Sequence, residues 1–141
     1  MSFEPGNLLY VPNYQFPNGT SKPKYFLVIS EFDGTLIIAN LPTSQDYIPA
    51  HIDKVHGCMD YPDHSFNCYH FKANTIICSN GFFFTLNTYM YGEWVDTFEL
   101  EKVNKIPDAI VKGSLNEHEL LAIIECFKNS EKVKNKIKKR L

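Results

Sequence analysis

The stretch KYFLVISEFDGTLIIANL, residues 24–41, decides the reading of the chain. Two apolar runs, Lys24–Ser30 and Thr35–Leu41, flank Asp33-Gly34, and both turn residues accept positive φ, so the segment predicts a tight β-hairpin. β-branched and aromatic side chains fill the runs, as a half-buried pleated surface requires. Outward from this hairpin, Leu8–Pro12 reads as a strand. Residues 13–23, broken by Pro17, Asn18, Gly19 and Pro23, read as a loop. Downstream, Ser65–Phe71 and Asn74–Ser79 form a second expected hairpin, followed by strands over Phe82–Tyr89 and Trp94–Leu100. The pattern changes after Pro107. Ser114 with Glu117 makes a capping box, and Leu120, Leu121, Ile124 and Phe127 recur at helical spacing, predicting a helix over about 115–128. Val133, Ile137 and Leu141 line one stripe of a second helix. The expected fold class is mainly β (α+β), a small antiparallel barrel over about 6–106 with C-terminal helices over about 114–141, in one domain.

Composition narrows the function classes. The chain has 141 residues, 44% apolar and 21% charged, which excludes disordered, collagenous and coiled-coil readings. Its aromatic content of 14% suits strands. Four Cys are too few for a disulfide scaffold, and no signal segment opens the chain, so cytoplasmic location with reduced thiols is expected. Apolar runs such as Tyr25–Ile29 are far shorter than the roughly 20 residues of a spanning helix, so no membrane role is expected. Net charge is uneven. Residues 128–141 carry +6 and residues 1–127 carry −8, so affinity for nucleic acid must come from local patches and the tail.

The first fifty residues carry a resemblance. Gly6-Asn-Leu-Leu-Tyr-Val-Pro12, a polar loop closing on Lys22-Pro23, an apolar strand ending in Ser30, and Leu36–Thr43 followed by Tyr47-Ile-Pro-Ala-His-Ile52 resemble the MazF/PemK toxins. Members of that family show a G-D-I-V-x-V start, a loop ending in Arg-Pro and a strand closing on Thr or Ser. The resemblance implies an SH3-like barrel, commonly a homodimer. It further implies an endoribonuclease of a toxin-antitoxin system that cleaves single-stranded RNA without metal or cofactor and is neutralised by an antitoxin protein. The family's Arg falls at Lys22 and its Thr or Ser at Thr43, beside Ser44. The chain's sole Arg is Arg140, so lysine must supply the loop cation, without guanidinium's planar two-point contact.

Cleavage through the neighbouring 2′-hydroxyl needs a base, an acid and a cation at the phosphorane. Histidine suits both proton transfers near neutrality. Four of five His lie at His51, His56, His64 and His70. The candidate catalytic set is therefore Lys22 and Lys24 on the phosphate, Thr43 or Ser44 contacting it, and His51, His56 or His70 moving protons. The rival reading is a non-catalytic SH3-like module binding protein or nucleic acid. A third is structural zinc held among His56, Cys58, His64, Cys68 and His70, a set rich in tetrahedral-zinc ligands but irregular in spacing. Cys78 and Cys126 read as core, and Glu117, Glu119 and Glu125 as helix surface. Phe82, Phe83 and Phe84 offer either a stacking platform or core packing. The basic tail offers either phosphate contacts or a solvated face.

Overall fold

A computed structural model describes residues 3–41 and 47–141. Thr43 and Ser44 lie outside the described residues. The chain folds mainly into antiparallel strands: β1 (Asn7–Gln15), β2 (Ser21–Phe32), β3 (Thr35–Leu41), β4 (Gly57–Tyr61), β5 (Phe66–Phe71), β6 (Thr88–Tyr91), β7 (Val95–Glu99) and β8 (Ile110–Ser114). Among the described residues they are joined by the α-helices α1 (Leu100–Asn104), α2 (Glu117–Lys128) and α3 (Asn135–Lys138). A five-stranded sheet runs β7-β3-β2-β1-β8 and a three-stranded sheet runs β4-β5-β6. Among the described residues the two sheets share no ladder, so the expected barrel is not closed.

The Asp33-Gly34 hairpin forms as the sequence requires, with φ of 47° and 74° at the two turn residues. The expected loop over 13–23 is instead the distal end of the β1–β2 ribbon. Pro12 sits at a register shift between Val11 and Tyr14, beyond Tyr10, where β8 pairing ends, so its missing N–H removes no ladder bond there. The expected hairpin of Ser65–Phe71 with Asn74–Ser79 does not form, since β5 pairs with β4 and β6 instead, and most of Phe82–Tyr89 is not strand. Irregular bonds stand there instead, Ile77 N–H to Phe82 O at 3.0 Å and Asn74 N–H to Phe84 O at 2.7 Å, and strand geometry resumes only at Thr88. α2 begins at Glu117 after Asn116, and Ser114 is strand, its hydroxyl accepting from Asn7 Nδ2 at 2.9 Å.

Period-2 alternation sorts the side chains into layers. In β2, Leu27 and Ile29 point to a central core with Tyr69, Phe71 and Met90 of the second sheet and Ile123, Phe127, Val133 and Ile137 from the helical end. Phe26 and Val28 point the other way, into an outer cluster with Leu9, Val11, Ile38 and Val103. The second sheet turns Met59, Phe66, Cys68, Tyr89 and Tyr91 outward, with Ile48 packed among them. α1 is tied to the hairpin turn by Leu100 N–H to Gly34 O at 2.9 Å.

Cys58 of β4 and Cys126 of α2 form a disulfide with Cα atoms 5.6 Å apart, which corrects the expectation of reduced thiols. Cys126 is buried as expected, but as half of a cross-link. Cys68 and Cys78 are buried and lie outside this disulfide. No described helix is long and apolar enough to cross a membrane.

Candidate functional site

Each candidate side chain takes its place from these layers. Lys22 and Lys24 share strand parity with Phe26, so they leave β2 on the outer face of the five-stranded sheet. Their ammonium groups sit 5.3 and 4.7 Å from the centre of the Phe16 ring, and Lys24 lies 5.8 Å from that of Tyr14. Burial, and secondarily the charge of Lys22, lowers the pKa of Lys24 from its ordinary value.

The histidines lie elsewhere. His56 borders the central core beside Tyr69 and Phe71, where its Nδ1 accepts from Lys72 N–H at 3.1 Å, so the ring proton is on Nε2 and is donated to Glu119 Oε1 at 2.7 Å. Tyr69 donates its hydroxyl to the other oxygen of Glu119. Burial first, then this bond and the Glu119 charge, raises the tyrosine's pKa. The network is satisfied at every atom, and both nitrogens of His56 are committed. His70 is buried on the outward face of the second sheet, its ring stacked on Tyr89 at 4.9 Å and its Nδ1–H donated to Val55 O at 2.8 Å. Its Nε2 is buried and has no partner. His51 and His64 are exposed and meet edge to face, 4.9 Å between centres, by the outward face of the second sheet.

The structure therefore brings Lys22 to Lys24 and His51 to His64, but sets these pairs on opposite outer layers. One sheet separates the lysines from His56, and two separate them from His51, His64 and His70. The zinc set is likewise dispersed. Cys58 is in the disulfide, and His56 and Cys68 occupy opposite faces of the second sheet. Among the described residues no cluster of three His, Cys, Asp or Glu side chains could hold a metal.

Glu119 corrects the helix-surface reading, since it is only 4% exposed. The missed signal is its spacing to Ile123 and Cys126, four and seven residues on, the stripe α2 turns inward. Leu121, expected inside, is 58% exposed. The Glu119 bonds and the Cys126 cross-link both act on that stripe and fix the rotation of the helix.

A different set of side chains converges where the open sandwich leaves the central core uncovered. Tyr10 and Tyr25 pair across β1 and β2 with ring centres 4.9 Å apart; Phe82 lies 6.2 Å beyond Tyr25, and Phe84 meets Tyr25 edge-on at 5.2 Å. Phe83 and Leu86 are exposed at the far end. Tyr25, Phe82, Phe83, Phe84, Thr85, Leu86 and Thr88 line a shallow groove of about 280 Å³, and Tyr10 adjoins it through the Tyr25 ring. Lys112 of β8 caps the Tyr10 ring at 5.3 Å, and Asn80 anchors the aromatic loop by donating to Lys112 O at 2.8 Å. Burial, and then Tyr10, raises the pKa of Tyr25, so its phenol stays a protonated donor near neutrality. Of the two readings of Phe82–Phe84, the structure uses both: Phe84 is buried in the core beneath the groove, and all three rings line it.

Comparison with protein-family models, with curated proteins and with solved structures yields no match.

Proposed function

We propose that the chain is a non-catalytic recognition module that holds an extended peptide along the Tyr10–Tyr25–Phe82–Phe83 groove. The observation that carries this reading is the row of tilted rings at the open end of the sandwich. An extended polyproline-type chain advances about 3.1 Å per residue, so each ring step spans about two residues and each furrow suits one ring or aliphatic side chain. The two phenols can donate to peptide carbonyls that the rings leave exposed. Peptide is favoured over nucleic acid by charge. Each nucleotide brings a phosphate that needs a cation, Lys112 is the described cation on the strip, and residues 1–127 carry −8.

The endoribonuclease reading needs a lysine and an imidazole at one phosphate, and the layered sheets hold them apart. The module reading requires neither an antitoxin nor a homodimer. The disulfide fits an oxidising compartment better than a cytoplasmic one.

The test is selection of ten-residue peptides from a random library on the wild-type protein and on Tyr25→Ala. Support is a selected consensus rich in Pro and aliphatic residues whose binding falls about tenfold or more in the variant, since a truncated aromatic anchor costs about 2 kcal/mol. Peptides that bind both proteins equally, or self-association through the same strip, would refute the reading.

A further inference from the structure

The outer face of the five-stranded sheet holds a second concavity, independent of the aromatic groove. Val11, Phe26 and Ile38 form its floor, Val103 of α1 one wall, and Tyr14 and Lys102 its mouth. Its volume is about 160 Å³, room for about five groups of water or methylene size. Its surface is almost wholly apolar, so water gains little by filling it. Tyr14 connects this cleft to Lys24, whose ammonium shares the Phe16 ring with that of Lys22. Among the described residues neither Lys22 nor Lys24 has a carboxylate partner. Two uncompensated cations thus stand at the end of an apolar slot.

We infer that the cleft binds a medium-chain anionic amphiphile, a carboxylate with an unbranched tail, whose head meets Lys22 and Lys24 and whose tail lies on Val11, Phe26, Ile38 and Val103. The length follows from the volume. About five tail carbons fill the slot, and two or three more carry the head past Tyr14 to the lysines. Charge complementarity selects the head, because an anion relieves both the mutual repulsion of the lysines and the partial burial of Lys24. Lys102 adds a third positive charge at the rim, its pairing to Glu99 being long at 4.0 Å and exposed.

Octanoate, octanol and octylammonium titrated into the full chain, followed by calorimetry and by backbone amide shifts, test this. Octanoate is expected to bind with shifts centred on Val11, Tyr14, Phe26 and Val103. Octanol is expected to bind about tenfold or more weaker and octylammonium not at all, since a charge-assisted hydrogen bond contributes about 1.5–3 kcal/mol. The substitutions Lys22→Gln and Lys24→Gln together are expected to reduce octanoate to the level of octanol. Equal binding of octanol and octanoate, shifts elsewhere on the molecule, no binding by wild type, or displacement of octanoate by single-stranded RNA would each overturn the assignment.

Discussion

Lys24 and Tyr25 are neighbours in β2 whose side chains leave on opposite faces of the five-stranded sheet, one to the cationic Phe16 cluster and the other to the aromatic groove. That single alternation separates the cations from the histidine bordering the central core, His56, and from the groove. A phosphate held at Lys24 cannot be reached by His56 without crossing a sheet.

The first consequence concerns RNA. Purified protein incubated with single-stranded RNA and excess EDTA is expected to leave it intact, and Lys24→Ala is expected to change nothing. The readout is the appearance of 2′,3′-cyclic phosphate ends. Their formation by wild type and loss in Lys24→Ala would restore the nuclease reading.

The disulfide links residues 68 apart in sequence, so its removal frees a long loop in the unfolded chain. Cys58→Ser is expected to lower stability by about 2–4 kcal/mol in urea titration. Thiol titration of the denatured, unreduced protein should find two reactive groups, Cys68 and Cys78. Four would mean that the cross-link is absent.

Removing the Glu119 carboxylate strands the His56 Nε2–H and the Tyr69 hydroxyl. Glu119→Ala is expected to cost about 1–3 kcal/mol for each buried donor left unpaired, against about 0.5 kcal/mol or less for the exposed Glu117→Ala. Equal urea midpoints for the two variants would show that the network contributes nothing.

Alkali should act through Cys78, whose thiol is pushed up to about 11 by burial and by the Glu119 charge. The folded state holds it protonated while the unfolded chain releases the proton near 9.0. Its contribution is therefore complete below pH 9.0 and is lost as pH rises toward about 11. Tyr69 shifts in the same direction. Urea midpoints measured across this window should fall, and should fall less for Cys78→Ala. A flat profile would contradict the assignment.

At Gly92 a methyl group would run into Asn67 Oδ1 and approach Val133 Cγ2 to 3.0 Å. Gly92→Ala is expected to destabilise by about 1–3 kcal/mol, by thermal unfolding. An unchanged midpoint would mean that β5 and the C-terminal segment can separate there at no cost.

Local chemistry carried the parts of the fold that local patterns determine. Asp33-Gly34 admits positive φ at both residues, so the hairpin and its turn could be read directly, but not the register shift between Val28 and Ser30. α2 could be placed but not rotated, because a Glu119 buried by two donors looks in sequence like any other surface glutamate. The disulfide was hidden because nothing in the spacing of Cys58 and Cys126 brings α2 to β4. Residues 74–87 alternate well enough for strands, yet their backbone groups are spent on bonds within the loop, with Ser79 N–H to Ser114 O tying the segment to β8. Tyr10, Tyr25 and Phe82 come from three separate segments, and only tertiary folding aligns them.

The most direct test of the module reading is a backbone amide spectrum of the wild-type protein titrated with the best ten-residue peptide from the selection. The expected result is saturable shifts confined to Tyr10, Tyr25, Lys112 and residues 82–86, abolished in Tyr25→Ala while the rest of the spectrum stays dispersed. Shifts centred instead on Lys22 and Lys24, on the histidine-bearing face, or nowhere would contradict it.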